Sequence, residues 1–381
     1  MLTKGDEYPL HQTAEPIAYA GTDRNFYDRY FFNGYTRGGE VFFAAALGVY
    51  PHLGIMDAAF SVLAEGRQYN LHASRVTGGE RLDTSVGPIR LEIIEPLRRL
   101  RLVVGANEYG IGCDLEVCAR SAPVEEPRFT WRNGTRVLMD VTRMTQAVRW
   151  SGQVSVGGSP IDLAGQAVWG TRDRSWGVRP VGAPDPQAAV PAMVPQFYWL
   201  WAPLSFEDHA TLYHVNEDAS GGAWNTHARI CPDGDAPSLP MSGCSSTLRF
   251  APGSRHATSA VLRFDHDGGA HSTIDLEVQR QFYMQGIGYG HPEWGHGAYK
   301  GGMAVGYDEL VTDAAGGGSL GYLPPNLHIQ AIVSATEHRP DGSVAVGTGV
   351  LEQLIVGPHA PSRFVDLLDP APAEATQASS P

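Results

Sequence analysis

Three clusters of side chains in this chain have the types and spacing to do chemistry. The first is Arg172, Asp173 and Arg174, three consecutive charges inside GTRDRSWGVRP (170–180), in a region that otherwise reads as apolar strand. On an extended strand Thr171, Asp173 and Ser175 share one face, and Arg172, Arg174 and Trp176 share the other. Such a cluster serves either as a structural ion-pair network or as a polar site in the wall of an apolar cavity. The second is His291, Glu293 and His296 in GYGHPEWGHGAYKG. Strand-like spacing puts His291 and Glu293 on one side as an acid/base pair; the alternative is a loop at a barrel mouth with its polar groups already satisfied. The third is NFYDRYFFNGYTRGGEVFF (25–43), with Tyr27 and Tyr30 among Phe26, Phe31 and Phe32. Aromatic packing with a few hydroxyls suits an apolar ligand pocket, and it equally suits a core plug.

The elements that must position these residues are strands. VFFAAALGVY (41–50), IMDAAFSVLAEG (55–66) and RQYNLHASRV (67–76) are short apolar or alternating runs punctuated by Gly and Pro. RRLRLVVGANEYGIGCDLEV (98–117) alternates on both sides of a polar loop. Asn133-Gly134, Gly221-Gly222, Asp267-Gly268 and Pro340-Asp341-Gly342 mark hairpin turns. Asp265, His266, Asp267 and His271 then read as a solvated hairpin tip rather than a ligand cluster. A short helix at 362–368 is the one weak helical signal. The 381 residues include 45 Gly and 27 Pro without periodicity, a profile of an all-β chain with many turns.

Composition excludes several functions. The formal net charge of −13 repels phosphate backbones, so nucleic acid is not an expected partner. No window approaches the roughly 20 apolar residues of a membrane span. The N-terminus lacks a cleavage pattern, and a cytoplasmic location is expected. Cys113, Cys118, Cys231 and Cys244 form no CxxC pair and are read as thiols, with a disulfide as the lesser option. No HExxH, paired CxxC, phosphate-loop, dinucleotide or Gly-x-Ser-x-Gly pattern is present, so neither a metal nor a cofactor is expected.

An internal echo suggests two related halves. Aligning Trp176 with Trp294 also aligns Gly170 with Gly288 and Gly177 with Gly295, and puts His291 in the register of Asp173. The halves divide near the Pro-rich VGAPDPQAAVPAMVPQ (181–196), giving expected domains at 1–185 and 186–369 and a disordered tail at 370–381. Meandering sheets of this length close most economically into barrels, because closure removes exposed edges.

Gly170-Thr171-Arg172-Asp173-Arg174-Ser175-Trp176-Gly177 resembles the Gly-Tyr-His-Asp-His-Asn-Trp-Gly segment of the hydroxyneurosporene synthase (carotenoid hydratase) family. Both glycines, the Asp and the Trp are kept, and both histidines are replaced by arginine. The resemblance implies two tandem lipocalin-like β-barrels, an apolar pocket within or between them, and hydratase or pericyclase chemistry without redox cofactors. The replacements matter: histidine shuttles protons near neutral pH, whereas arginine stays charged. Asp173 is then the proton-transfer candidate within the octet, with its pKa expected to be lowered by the flanking guanidiniums.

The resulting expectation is a cofactor-independent, non-redox lyase, hydratase or isomerase acting by acid–base chemistry on a largely apolar or aromatic small molecule. A retro-aldol or dehydrating lyase fits this equipment. Asp173 would be general base, Arg172 or Arg174 would hold an oxyanion, Tyr27 or Tyr30 would donate a proton, and His291 with Glu293 would form a second pair. Phe26, Trp150, Trp176 and Trp199 are the expected substrate-binding aromatics. A lipocalin-type carrier and a pericyclase are the alternatives, and self-association into a homodimer stays open.

Overall fold

Alternating apolar and polar residues fold here into paired antiparallel strands. The computed structural model describes residues 4–9, 21–80, 82–161, 163, 165–187, 190–312, 320 and 322–372. Among them are two antiparallel sheets, one of 14 strands and one of 10. Each curls around its own apolar core, the first built on Phe32, Phe43, Phe60 and Leu102, the second on Leu200, Phe264, Ile274 and Leu351. The architecture is a pair of lipocalin-like half-open barrels, as the resemblance of the octet implied.

The hairpins fall where the turn residues put them. Strands Phe129–Asn133 and Arg136–Val156 flank Gly134, whose φ of 59° is the left-handed value such a turn requires. Strands Ala257–Asp265 and His271–Tyr283 flank Asp267-Gly268, and Ile329–His338 and Val344–Val356 flank Pro340-Asp341-Gly342. The weak helical signal at 362–368 does not become an α-helix; one 3-10 turn at Ala360–Ser362 precedes it.

A third apolar cluster fills the seam between the barrels. Phe31, Tyr35, Phe42 and Trp169 of the first sheet pack there against Trp199, Trp201, Ile332 and Val350 of the second. The strands at this seam are therefore buried on both faces. In Phe26–Thr36, Tyr30 and Phe32 enter the first barrel's core while Phe31 and Tyr35 enter the seam.

One strand departs from the expected division of the chain at 185/186. After His271–Tyr283 the chain leaves the second barrel through residues 284–302, and strand Met303–Val311 pairs with Arg67–Val76 at the edge of the first sheet. A segment of the second half thus completes the first barrel, and its connection crosses the seam. At the C-terminus Ala371 is buried and its backbone pairs with Gly253 and Ser254; the rest of the expected tail, 373–381, lies outside the described residues.

Candidate active site

The strand register builds the site. Val168–Val178 lies between Phe26–Thr36 and Arg136–Val156, with Asp173 opposite Phe31 on one side and Thr145 on the other. Ser175, two residues along on the same face, lies opposite Arg29 and Arg143. Arg29 and Arg143 are thus diagonal neighbours of Asp173 within reach of long side chains. This face looks into a cavity of about 910 Å³ between the barrels.

Aromatic side chains dominate its walls: Tyr27, Trp131, Phe197, Trp199, Trp201 and Tyr289. The polar groups include Asp173, Arg143, Arg179, His296, His328 and Glu352, with Ser175, His291 and Glu293 also on the lining. A large apolar hollow with a handful of convergent polar groups is the usual form of a small-molecule site.

The Asp173 carboxyl holds its proton more tightly than an ordinary carboxyl. Burial pushes its carboxyl up to about 6, against the lowering pull of Arg143 and Arg29 and with an upward push from Glu126 and Glu352. The sequence expectation was a lowered pKa, and it is corrected here. The guanidiniums that were to lower it point elsewhere, and desolvation dominates.

Arg172 and Arg174 turn away from the cavity. Both lie on the opposite face of the strand, in the first barrel. Arg172 Nη1 donates to Glu7 Oε1 and Oε2 at 2.6 and 2.7 Å, and its Nε donates to Gln146 Oε1 at 2.8 Å. Arg174 Nη1 lies 2.5 Å from Asp28 Oδ1, its guanidinium stacks 3.8 Å over the Tyr30 ring, and its Nη2 donates to Tyr8 O at 3.0 Å. Neither can hold an oxyanion formed beside Asp173. Tyr30 is also outside the cavity, its hydroxyl donating to Glu7 O within the first barrel.

Of the remaining expected residues, Tyr27 and Trp199 line the cavity, while Phe26, Trp150 and Trp176 do not. Trp150 belongs to the first barrel's core and donates Nε1–H to Asn33 O at 2.9 Å. Trp176 lies on the Arg172 and Arg174 face, opposite Asp28 and Thr142. Burial pushes the Tyr27 phenol up, so it is a protonated hydroxyl at neutral pH.

His291 and Glu293 border the cavity but are not a pair. Their segment is an irregular loop, not a strand equivalent to 168–178, so the alternation argument does not apply. Glu293's side chain is 73% exposed and lies 3.6 Å from Lys300 Nζ. His291 Nδ1 accepts the backbone N–H of Glu293 and of Trp294, at 3.0 and 2.9 Å, and its Nε2 lies 3.0 Å from Asp308 Oδ2. His72 Nε2 approaches the same oxygen at 2.9 Å, and Asn70 donates to Oδ1 at 2.7 Å. Two histidines and a carboxylate within 4.8 Å have the composition of a metal site. The tautomer opposes that use. With Nδ1 accepting two amides, the His291 proton sits on Nε2, leaving no lone pair there for an ion. The cluster clamps the 288–302 loop to the first barrel.

Sequence reasoning missed a second chemical centre on the other wall. Glu352, on Val344–Val356, is a buried carboxylate that accepts from His328 Nε2 at 2.9 Å, Gln330 Nε2 at 2.7 Å and Trp199 Nε1 at 3.1 Å. Burial would raise its pKa, but His328 and these donors outweigh it and hold it low. His328 is thereby fixed with its proton on Nε2, and its Nδ1 has no protein partner among the described residues. The only hint in the sequence is polar residues interrupting apolar strands, Gln330 in HIQAIV and Glu352 in GVLEQLIV.

His296, which shares the loop, is engaged at both nitrogens. Nε2 donates to Ile287 O at 2.9 Å and Nδ1 accepts from Arg179 Nη2 at 3.1 Å. Burial, with Arg29 and Arg179 adding to it, keeps its pKa well below the usual value, so it is a neutral structural ring. Arg143 is anchored to Glu126 at 3.2 Å.

Two lipocalin-like barrels around an aromatic cavity define the class of protein by its fold: a tandem lipocalin-like protein. The chain belongs to a family of unknown function, DUF8625, whose profile matches residues 2–365. Among solved structures it is similar to kievitone hydratase from Nectria haematococca, with a TM-score of 0.52, 14% identity, and coverage of 91% of this chain and 92% of that one. It is also similar to a candidate AttH from Nitrosomonas europaea, with a TM-score of 0.52, 12% identity, and coverage of 91% of this chain and 98% of that one. At such identities the likeness establishes architecture. No curated protein matches the chain at a significant level.

Proposed function

We propose that the chain is a cofactor-independent, non-redox hydro-lyase that removes water from, or adds it to, a largely apolar aromatic small molecule beside a carbonyl group. The observation that carries this reading is Asp173: a carboxyl tuned to about 6 on the wall of an aromatic cavity, facing a Glu352–His328 dyad on the other barrel. The hydratase neighbour lends support, because the same architecture serves water addition there.

In the dehydration direction the ionised Asp173 takes the proton from the carbon next to the carbonyl. The C–H electron pair moves onto the carbonyl oxygen as an enolate, which the Arg143 guanidinium stabilises. The enolate pair then forms the carbon–carbon double bond as the C–OH bond on the β-carbon breaks. His328 in its protonated form hands the Nδ1 proton to the departing hydroxyl, which leaves as water. Glu352 fixes the imidazole's orientation and tautomer, as the carboxylate of a triad does. Hydration runs the same steps backward. Both proton-transfer groups come from the chain, and the cationic surroundings favour an enolate over a carbocation.

The test is turnover of a panel of β-hydroxy carbonyl compounds with aryl or polycyclic skeletons, by wild type, Asp173→Asn and His328→Gln. The expected outcome is water loss by wild type and a fall of at least ~10²-fold in kcat for each variant, in line with general acid–base catalysis. Turnover that survives Asp173→Asn overturns the base assignment. Tight binding of many apolar compounds with none transformed makes the protein a carrier.

A further inference from the structure

Four arginines that are at most 3% exposed and lie away from the cavity each contact a carboxylate: Arg120 with Asp233, Arg172 with Glu7, Arg174 with Asp28 and Arg255 with Asp369. This is the expected pattern, because an uncompensated buried guanidinium is costly. Arg143 on the cavity wall follows it through Glu126.

Arg29 and Arg179 break it. Arg29 is 1% exposed, yet among the described residues no carboxylate oxygen lies within 4.0 Å of it or of Arg179. Arg29 Nη2 donates to the Ile287 carbonyl at 3.2 Å. Arg179 Nη1 donates to the Tyr289 hydroxyl at 3.3 Å, and Nη2 donates to His296 Nδ1. The Nε of each guanidinium is buried without a hydrogen-bond partner. Both cations stack on the Tyr289 ring, at 4.5 and 5.3 Å from its centroid, and Arg179 also covers Tyr27 at 4.3 Å. Tyr289, Arg179 and Tyr27 all line the cavity.

At contact distance these two positive charges are therefore held by ring faces and neutral acceptors, with Asp57, and for Arg29 also Asp173, acting on them only from beyond 4.0 Å; Arg179 lies on the cavity wall and Arg29 does not. A guanidinium edge is matched to a carboxylate in both shape and charge. Tyr289 presents a hydroxyl that is already polarised by Arg179. Next to them the cavity offers Tyr27, Trp131 and Phe197 as apolar surface.

Resting on the reading of this cavity as the substrate site, we propose that the substrate is an acid: a monoanionic carboxylate on an aromatic skeleton, received by Arg179 and the Tyr289 hydroxyl with Arg29 reinforcing the charge from behind the Tyr289 ring. The carboxylate completes the missing ion pair, and it fixes which end of the molecule lies toward Asp173.

The test is binding, not turnover. Aryl carboxylates of one to three rings (benzoate, biphenyl-4-carboxylate, anthracene-2-carboxylate) and their carboxamides are titrated into the full chain at pH 7, with tryptophan fluorescence and calorimetry as readouts. At least one acid should bind ten-fold or more tighter than its amide. Arg179→Gln should abolish that preference, the acid losing at least five-fold more affinity than its amide. Arg179→Lys, which keeps the charge, should retain part of it. Acid and amide binding equally well to wild type overturns the proposal and leaves the hydro-lyase reading intact. A preference that survives Arg179→Gln overturns the assignment of the anion to this cluster, as does the absence of binding by every probe at millimolar concentration. An acid preference in a protein that transforms nothing sustains the anion site and removes the hydro-lyase instead.

Discussion

Glu352, on the second barrel, and Asp173, on the first, line one cavity; burial raises the proton affinity of Asp173, and Glu352 adds a smaller push in the same direction. Glu352 is buried and Asp173 half-buried on the cavity wall, and their environments drive them apart. Glu352 gathers three donors and is held ionised, whereas Asp173 has guanidiniums nearby only as diagonal neighbours and is pushed up to about 6. Pairs of carboxyls split in this way mark groups with different roles, one orienting and one exchanging protons.

The pH profile follows from this split. Asp173 must be ionised to take a proton, so the acid limb of the dehydration rate should rise as pH climbs through about 6. An initial-rate series from pH 4.5 to 8 locates this limb. A rate that instead falls through pH 6 means Asp173 works as the acid.

The same carboxyl should weaken the fold at neutral pH. Its folded pKa lies above the unfolded value near 3.8, so the folded state binds the proton more tightly, and stability declines as pH rises from about 4 through about 6. Asp173→Asn removes that loss and should stabilise the protein at pH 8 by at most about 3 kcal/mol, with no gain at pH 3.5. Thermal unfolding of wild type and variant at the two pH values measures it, and an equal shift at both would show that burial of the charge is not the cause.

Glu352→Gln tests positioning. The amide keeps the size of the side chain but accepts less strongly and can turn its NH₂ toward His328, which loosens the ring. The expected loss is ~10–100-fold in kcat with KM little changed, smaller than for His328→Gln. Equal losses in both would mean that Glu352 takes part in proton transfer directly.

Arg172 should prove to be scaffold. Glu7→Gln leaves the buried Arg172 guanidinium without its anion and should cost about 3–5 kcal/mol in denaturant unfolding. Replacing both partners by leucine should recover much of that loss, and ligand binding in the cavity should be unchanged in the double variant. A change in ligand affinity would put the first barrel's interior back into the site.

The loop clamp can be separated from metal binding. Asp308→Asn leaves one acceptor oxygen and one NH₂ donor where two oxygens serve Asn70, His72 and His291, so hydrogen exchange should quicken across 288–302 and KM should rise more than kcat falls. Added zinc should leave the melting temperature of the wild-type protein where it was, because the His291 tautomer offers Nε2–H at that spot. A zinc-dependent rise would reverse this assignment.

Much of this fold is carried by local pattern. Period-two alternation, and glycine at turns such as Gly134 and Gly268, need only nearest-neighbour sterics to act, and the hairpins stand where those residues put them. The separation of Asp173 from Arg172 and Arg174 is likewise a property of the strand itself, since consecutive side chains point to opposite faces. Alternation does not say what lies beyond each face. Here one face meets the first barrel's interior, where Glu7, Asp28 and Tyr30 absorb the arginines, and the other meets the second barrel. That outcome depends on two sheets sharing a seam, which places Arg143, His328 and Glu352 around Asp173 from strands and loops remote in the chain. The pKa of Asp173 belongs to the same category, because desolvation is set by what covers a residue and not by its neighbours in sequence.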